Sequence, residues 1–402
     1  AGGLVILLKE TEEVTITAKA GGVVSTPPHK IKIKPVPVPV TGIILTEDYL
    51  SIEEGDSAVT LGATVYPANA TNQALIWVPG NDSVASISGS GTIRTVTPNG
   101  VGETAITVKT DTGIMVSCRV TVSESKNLAI KFKAQGTGSA LVADTFTRIH
   151  EYLNGISSPF IDKKIKLGDY IDLAGLKVEA YNGSGVIDES GNTPINNGAN
   201  GYLLRIMVVG INSFNPQANG RTSYVGGVTP AIPHIVMQFQ NAPVIRILDD
   251  LLLNRAYVDS DMRAYITVNF RAGLQNAGVP IDDSRDIIWG PTREITNTAL
   301  NAETVTDKLW LPTAWEMFHE QKQSNDTHER ENNQACLEYY TDDPKRVKYK
   351  VVSGVSSAAV YWTSSPVRNN STKCCVVTLS GGANVVDTSF SNSGVAPAFC
   401  VK

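Results

Sequence analysis

The first part of the chain reads TGIILT (41–46), SAVTLGATVYP (57–67), ALIWVPG (74–80), ASISGSGTIRTV (85–96), GETAITVKT (102–110) and IMVSCRVTVS (114–123), six β-rich runs separated by Asn, Gly, Asp and Pro. Short runs that follow one another at roughly 8 to 12 residues, with turn residues between them, are typical of an antiparallel β-sandwich. We therefore predict an all-β sandwich domain over residues 41–123.

The order of these runs also points to a family. The residues that carry the likeness are Thr41–Ile43, Leu61–Pro67, Ala74–Trp77 before Asp82–Ala85, Gly100–Thr104 and Cys118–Val122. In this order they resemble the group 2 bacterial immunoglobulin-like domain. The resemblance implies a spacer or adhesion module on a surface or phage protein, with no catalytic role. Cys118 lies in a predicted strand, so we expect it to be a small buried hydrophobic residue.

Residues 1–40 precede this domain. Val14 to Ala18 alternate as a strand does, and the stretch IKIKPVPVPV (31–40) alternates Pro with Val towards its end. Each Pro removes a backbone donor, so this stretch cannot fill a central strand. We predict an N-terminal strand followed by an extended Pro-rich linker that spaces the attached end of the chain from the rest.

Residues 124–160 are interpreted as a connector. Within it, TFTRIHEYLNG (145–155) predicts a short helix because Phe146, Ile149, Tyr152 and Leu153 share one helical face. His150 is expected at the surface or at a cap.

Residues 161–402 have an α+β pattern. The strands IKLGDYIDL, LKVEAY, YLLRIMVVGIN and HIVMQFQ precede a predicted helix that Asp259 or Ser260 caps. Met262, Ile266, Phe270 and Leu274 recur on that helix at helical spacing. A charged insert at His319–Gln334 and a final β region from Arg346 follow.

Seven blocks of this segment recur in a recognisable order: Leu167–Tyr170, Arg205–Asn212, Tyr257–Ile266, Leu309–Phe318, Arg346–Tyr349, Tyr361–Pro366 and Gly394–Val401. They resemble a domain of unknown function found in phage minor structural proteins and gut bacteria. Members of that family look like C-type-lectin folds and include variable proteins of diversity-generating retroelements. The resemblance implies a C-type-lectin-like ligand-binding domain over residues 161–402.

The last block alternates apolar anchors with polar segments. The anchors are Trp362, Pro366, Val376, Val377, Val395 and Phe399, and between them lie VRNNSTKCC and SGGANVVDTSFSNS. A rigid frame that carries unconstrained polar inserts is how binding loops are built. The candidate ligand-binding residues are Tyr361, Thr363, Arg368, Asn369, Asn370, Ser371, Thr372, Cys374, Cys375, Thr378, Asn384, Asp387, Ser389, Phe390, Ser391 and Asn392.

In the retroelement systems that this segment resembles, template Asn codons are randomised to a set of residues to which most of these candidates belong. The pair Cys374–Cys375 has no packing logic in the sequence and suits a randomised, exposed surface. Lys373 does not come easily from such a codon and marks either a fixed position or a weakness of the idea. The alternative is a solvated hairpin rich in turn residues.

Catalytic and metal sites are not indicated. The acidic pairs Asp249–Asp250, Asp259/Asp261 and Asp282–Asp283 have simpler roles at a helix start or in loops. His319–Glu320 begins like a zinc helix, but Gln323 stands where the second ligand is needed, and His328 lies in a charged stretch. Calcium-lectin motifs are missing too. We expect no enzyme activity, no metal and no cofactor.

Composition limits the partners. The chain has 402 residues, 34 Lys plus Arg against 39 Asp plus Glu, and no basic run with interleaved aromatics, which disfavours nucleic acid. No apolar run is long enough for a membrane span. The five cysteines, Cys118, Cys336, Cys374, Cys375 and Cys400, are odd in number and scattered, so we expect free thiols.

Together these features predict a phage virion surface protein of the receptor-binding, tail-fibre or decoration type. Its head would bind a host cell-surface receptor, protein or glycan, and its N-terminal region would contact other virion proteins. The resemblance also implies homotrimers as a common assembly of such heads. The alternatives are a purely structural particle protein, in which the head packs against neighbours, and a bacterial cell-surface adhesin.

Overall fold

The computed structural model divides the chain into two compact units, Ala1–Glu124 and Ser125–Lys402. It describes residues 14–17, 19–20, 22–24, 29–31, 36–155, 164–173, 176–181, 187–194, 204–214, 232–245, 248, 255–282, 284–296, 299, 301–318, 337, 339–352, 355–367, 370–390 and 393–402. Within these residues, no helix combines the length and the apolar character needed to cross a membrane.

The N-terminal region of the first unit forms two small antiparallel pairs. Strand β1 (Val14–Ile16) pairs with β4 (His29–Ile31), and β2 (Lys19–Ala20) pairs with β3 (Val23–Val24). The predicted strand is therefore present, although it is shorter than expected. Residues 36–40 of the Pro-Val stretch belong to no strand, as predicted for a segment that lacks backbone donors.

The rest of the first unit is a two-sheet sandwich. Its strands are β5 (Gly42–Leu45), β6 (Tyr49–Glu53), β7 (Val59–Tyr66), β8 (Ile76–Pro79), β9 (Ala85–Ser88), β10 (Ile93–Pro98), β11 (Gly102–Lys109) and β12 (Met115–Ser123). One sheet has the order β5-β7-β10-β9 and the other has the order β6-β12-β11-β8. The β12–β6 pair is parallel and the other pairs are antiparallel. The predicted sandwich is confirmed.

The sandwich core follows from the alternation of the strands. Leu61, Val96, Ile106 and Val120 point inward from four different strands and are fully buried. Cys118 is buried among them, as predicted, and burial raises the pKa of its thiol. Successive side chains of a strand face opposite sides, so the residues between these positions face solvent or the rim.

The second unit begins with two helices, α1 (Leu128–Lys131) and α2 (Gly138–Asn154). The predicted helix face is confirmed, because Phe146, Ile149 and Leu153 are buried. The Phe146 ring lies 6.0 Å from the ring of Phe399, near the end of the chain. The interpretation of residues 124–160 as a connector is therefore wrong for residues 125–155, which pack into the core of the second unit.

The middle of the second unit contains strands β13 (Tyr170–Asp172), β14 (Lys177–Tyr181), β15 (Ile187–Pro194), β16 (Arg205–Ile211), β17 (Ile235–Phe239) and β18 (Val244–Ile245). Helix α3 (Asp261–Tyr265) follows, and it continues through a π-helical turn at Ile266–Phe270 into α4 (Arg271–Asn276). Ser260 caps α3 by accepting a hydrogen bond from the backbone nitrogen of Arg263, as predicted. The four apolar residues predicted for this helix are all buried.

The remaining elements are β19 (Ile288–Trp289), β20 (Arg293–Thr296), β21 (Ala302–Val305), α5 (Ala314–Phe318), α6 (Asp343–Arg346), β22 (Lys348–Val352), β23 (Val355–Ala359), β24 (Tyr361–Val367), β25 (Asn370–Val377), β26 (Ala383–Asp387), β27 (Gly394–Val395) and β28 (Ala398–Val401). Two five-stranded sheets form, with the orders β13-β16-β17-β28-β19 and β18-β27-β24-β25-β26. The hairpins β14-β15, β20-β21 and β22-β23 accompany them.

The chain is thus multidomain and mostly β-sheet. Its final strand lies between β17 and β19, so a central strand of one sheet comes from the C-terminus. All four residues of β28 are fully buried, as expected for a strand covered on both faces. The C-type-lectin-like assignment of this unit stays a prediction.

A buried ion pair joins β20 to α5. Arg293 Nε and Nη2 donate to the two carboxylate oxygens of Glu316 at 3.0 and 2.9 Å, and both side chains are almost completely buried. Glu316 also accepts from the backbone nitrogen of Thr313 at 2.7 Å, while Thr313 Oγ1 accepts from the backbone nitrogen of Glu316. This reciprocal arrangement is a capping box at the start of α5. The pair fixes the helix in the core.

A neutral histidine is buried elsewhere in the same unit. His234 accepts a hydrogen bond at Nε2 from the backbone nitrogen of Phe214 at 3.0 Å, and its Nδ1 lies 2.8 Å from the carbonyl of Ile232. The Nδ1–H tautomer satisfies both contacts. Burial lowers the pKa of His234 to about 4.

This histidine predicts an acid-dependent loss of stability. Its pKa is about 4 in the folded chain and roughly 6.5 in an unfolded one, so the unfolded state binds the proton first. The contribution of neutral His234 to stability is complete above about pH 6.5, and the free energy of unfolding falls by about 3 kcal/mol as the pH approaches 4. Urea unfolding at several pH values should show a flatter decline for His234→Gln than for the wild type. Parallel curves would contradict the assignment.

Candidate ligand-binding surface

Strands β24, β25 and β26 form the frame that the last block of the sequence predicts. Trp362, Pro366, Val376 and Val377 are buried on β24 and β25, and Val395 and Phe399 are buried beyond them. All six predicted anchors therefore lie in the core. The register pairs Trp362 with Val376 and then shifts before Pro366, so β24 is bulged against β25.

Four candidate residues are corrected by this frame, because Tyr361, Thr363, Cys374 and Cys375 are buried. Tyr361 Oη donates to the carbonyl of Arg346 at 2.7 Å, and Thr363 Oγ1 donates to the carbonyl of Cys375 at 2.7 Å. The Cys374 sulfur lies 3.1 Å from the carbonyl oxygens of both Thr363 and Ser365. These side chains serve packing and the bulge, so the expectation that the cysteines are exposed is wrong.

The cysteines of the described part of the chain are free thiols, as predicted. Cys118, Cys374, Cys375 and Cys400 are all buried and form no disulfide. Burial raises the pKa of Cys400 well above its ordinary value, which keeps its thiol protonated and unreactive at neutral pH. Cys336 lies outside the described residues.

Other candidates gather at one end of the β25–β26 ladder. Lys373 is the register partner of Asp387, and both side chains are exposed. The backbone nitrogen of Phe390 donates to the carbonyl of Asp387 at 2.9 Å, which holds the backbone of Phe390 close to Asp387, and the Phe390 ring is exposed. We call this region the distal surface, and it consists of Asn370, Thr372, Lys373, Asp387, Ser389 and Phe390.

Local hydrogen bonds shape the distal surface. Asn370 Oδ1 accepts from the backbone nitrogen of Thr372 at 3.0 Å and from its hydroxyl at 2.7 Å, which is an Asx turn. The backbone nitrogen of Thr388 donates to the carbonyl of Thr372 at 2.9 Å. The start of β25 and the loop after β26 are therefore tied together, so the exposed side chains project from a defined backbone.

Asn384 and Thr378 lie towards the opposite end of the same ladder. Asn384 is exposed, Thr378 is half-buried, and the intervening turn presents an exposed Leu379. Gly381 closes this turn with a φ of +88°, and a Cβ there would come within 1.9 Å of the Asp343 carbonyl. Only glycine fits this close approach.

Some candidates lie outside the described residues: Arg368, Asn369, Ser391 and Asn392, together with the side chain of Ser371. Sequence reasoning left Lys373 out of the set, although it stands exposed at the centre of the distal surface. Lys373 is exposed and the next residue, Cys374, is buried, but this alternation does not continue, because the rest of β25 beyond Cys374 is buried on both faces. The sequence pattern therefore could not indicate that Lys373 is exposed.

The acidic pairs have structural partners where they are described. Asp261 binds Arg255 at 2.8 Å in the first turn of α3. Asp282 accepts from Ser284 and Arg285, and the hydrogen bond from the Ser284 hydroxyl, with further help from Arg285, lowers the pKa of its carboxyl to about 2. Asp249, Asp250, Asp283, His319, Glu320, Gln323 and His328 lie outside the described residues.

No group of three His, Cys, Asp or Glu side chains in the described ranges is arranged to hold a metal ion.

The predicted position of His150 is half right. Its ring is partly buried, and Nδ1 contacts the backbone carbonyl of the C-terminal Lys402, so it ties α2 to the end of the chain.

Comparison with known families assigns the two parts of the chain separately. Residues 39–120 match the family model of the bacterial Ig-like domain, group 2. This segment is a bacterial Ig-like domain. Residues 249–402 match the domain of unknown function DUF6273, which is how the C-terminal part of the second unit is classified.

One relative is an uncharacterized protein of Bacillus cereus, 34% identical over 86 residues. The match covers 21% of this chain and 64% of that protein, so it spans less than two-thirds of the relative. Among solved structures, the S-layer protein rSbsC(31-844) aligns at 24% identity and a TM-score of 0.20, over 27% of this chain and 16% of that one. Domains 4 and 5 of the S-layer protein SbsC align at 21% identity and a TM-score of 0.20, over 28% and 57%.

Proposed function

We propose that this chain is a non-enzymatic display protein on a phage virion, where the distal surface binds a receptor on the host cell. The observation that carries the proposal is the distal surface itself, where a cation, an anion and an aromatic ring are exposed on a tightly bonded frame. Aromatic and charged side chains on a rigid scaffold are the groups that supply most of the energy of protein interfaces.

In this proposal the Ig-like domain acts as a spacer. A small β-sandwich module with its own buried core is suited to hold a binding domain away from its attachment point. The N-terminal strands and the Pro-Val stretch would then attach the chain to other virion proteins. A C-type-lectin-like head and homotrimeric assembly belong to the same proposal.

Variants of the distal surface test the binding role. Replacing Lys373, Asp387 and Phe390 together by alanine should reduce binding of the purified chain to host cells by about tenfold or more, since each side chain is exposed and available. The thermal unfolding temperature should change little, because all three side chains are exposed. Binding is measured by flow cytometry with labelled protein on bacterial cells.

A control triple on the first unit likewise combines a lysine, an aspartate and an exposed aromatic residue. Lys19, Asp82 and Tyr49 are exposed there, and replacing them by alanine should leave cell binding unchanged. If both triple variants bind like the wild type, the distal surface is not the receptor site, and a purely structural particle protein becomes the better proposal.

The location of the protein is tested separately. Immunogold electron microscopy with antibodies to the first unit should label phage particles released from the producing culture. Label on the surface of uninduced cells, with none on particles, would instead support a bacterial cell-surface adhesin.

Burial restricts any diversification of this region. Substitutions at Tyr361, Thr363, Cys374 or Cys375 would disturb the core, so a randomised surface would be confined to the exposed codons. Deep sequencing of the gene segment for residues 361–402 across a host-passaged population should show changes at the distal surface with Trp362, Pro366 and Phe399 constant. A uniform sequence would show that the surface is not diversified. The binding proposal would then be tested by the alanine variants alone.

A further inference from the structure

A separate cavity opens in the second unit between the ends of β16 and β17 and the segment from Tyr339 to Tyr349. Its volume is about 240 Å³, and its lining includes Tyr339, Tyr340, Tyr349, Lys345, Lys348 and Gln240. Pockets for drug-sized ligands usually have volumes of roughly 300–1,000 Å³, so this one has room for a single small ring. None of these residues belongs to the distal surface.

The inner wall of the cavity contains a buried ammonium group. Lys348 is 2% exposed, and its Nζ donates to the carbonyls of Phe239 and Gln240 and to Tyr340 Oη, the last two at 3.5 and 3.2 Å. Within the described residues, no carboxylate comes within ion-pair distance of Nζ. Burial without a countercharge lowers the pKa of Lys348 to about 7. A bound anion would supply the missing charge.

Tyr340 is not free to donate to a ligand, because its hydroxyl already donates to the side-chain oxygen of Gln238. Gln240, unlike Tyr340, has a polar atom that is not already used. Its side-chain oxygen is buried and accepts no hydrogen bond from any described residue. An unpaired buried acceptor is unfavourable, so a ligand that donates a hydrogen bond at this point would relieve the penalty.

The outer wall is aromatic and cationic. Tyr349 is 46% exposed, and the Lys345 ammonium lies 5.8 Å from the ring centroid of the half-buried Tyr339. Tyrosine rings offer flat faces for another ring, and a second lysine adds positive charge at the entrance. The only described carboxylate near Lys345 is the exposed Asp342, at 3.6 Å.

We propose that this cavity binds a small ring-bearing carboxylate that also carries a hydrogen-bond donor. The carboxylate would pair with Lys345 and be attracted by the positive charge of Lys348 behind it, the ring would lie against the tyrosines, and the donor would reach Gln240. A sugar acid and an aromatic hydroxy acid share this chemistry. The proposal does not depend on the receptor-binding role, because it uses a different set of residues.

Two matched pairs of probes test it, each differing only at the acidic group. Glucuronate is compared with glucose, and 4-hydroxybenzoate is compared with 4-hydroxybenzamide, by saturation-transfer NMR and calorimetric titration of the full chain. At least one acid should bind about tenfold more tightly than its neutral counterpart. Binding of glucuronate would identify the sugar source, and binding of 4-hydroxybenzoate alone would identify the aromatic source.

Three variants locate the binding. Lys345→Ala and Tyr349→Ala change exposed rim residues, so they should fold normally and weaken binding of the acid by about tenfold. Gln240→Leu should weaken it as well, by removing the buried acceptor. Lys373→Ala, on the distal surface, is the control and should bind the acid like the wild type. Equal affinity for acid and neutral probes, no binding of either acid, or full binding by the rim variants would overturn the proposal.

Discussion

Replacing Glu316 by alanine should lower the free energy of unfolding of the second unit by about 3–5 kcal/mol. Both side chains of the Arg293–Glu316 pair are at most 1% exposed, so the variant leaves a guanidinium buried without its carboxylate. It also removes the acceptor for the backbone nitrogen of Thr313 and opens the capping box of α5. Urea unfolding of the full chain, followed by hydrogen exchange of peptides from the second unit, measures the change.

An exposed ion pair of the first unit is the control for this prediction. Arg119 donates to both carboxylate oxygens of Glu103 at 2.8 Å, yet both side chains are more than half exposed. Solvent screens such a pair, so Glu103→Ala should leave the stability of the first unit unchanged within error. A loss of similar size in both variants would show that burial of the Arg293–Glu316 pair is not what makes it important.

The first unit could be predicted from its sequence because its signals are local. Each strand alternates inward and outward residues, and turn residues separate the strands, so the sandwich follows from short segments such as Val59–Tyr66 and Met115–Ser123. Helix α3 could be predicted for the same reason, since Ser260 and the apolar residues that follow it lie within a few turns.

The second unit depends on contacts between distant residues, which a sequence pattern does not contain. The sequence pattern of residues 125–155 predicts only a connector with a short helix, yet α2 packs against the last strand of the chain. Thr363 and Cys374 are polar or small, so they resemble surface residues, but a bulge between β24 and β25 turns them into the core. Polarity is a poor guide where backbone carbonyls satisfy a buried hydroxyl or thiol.

The same reasoning misses the buried lysine. Lys348 lies within the block Arg346–Tyr349, which the sequence marks only by a family likeness, and charged residues are rarely buried. Two backbone carbonyls and a tyrosine hydroxyl collect around its Nζ from residues more than a hundred positions away, apart from Tyr340.

Phe146 provides the sharpest test of where the second unit begins. The side chain is fully buried on α2, in a segment that the sequence presents as a connector, and its ring contacts Phe399. If residues 125–155 are part of the core, Phe146→Ala removes a buried aromatic ring and should lower the free energy of unfolding of the second unit by about 3–5 kcal/mol. Differential scanning calorimetry and urea unfolding of the full chain measure it.

A second phenylalanine of the same unit is the matched control. Phe390 is 39% exposed on the distal surface, so Phe390→Ala removes the same atoms from a position that water already reaches. Its effect on stability should be much smaller than that of Phe146→Ala, because the free energy of burying an aromatic ring scales with the area removed from water. Equal effects would mean that α2 does not share a core with β28, and that a fragment beginning after residue 160 would fold as well as one beginning at Ser125.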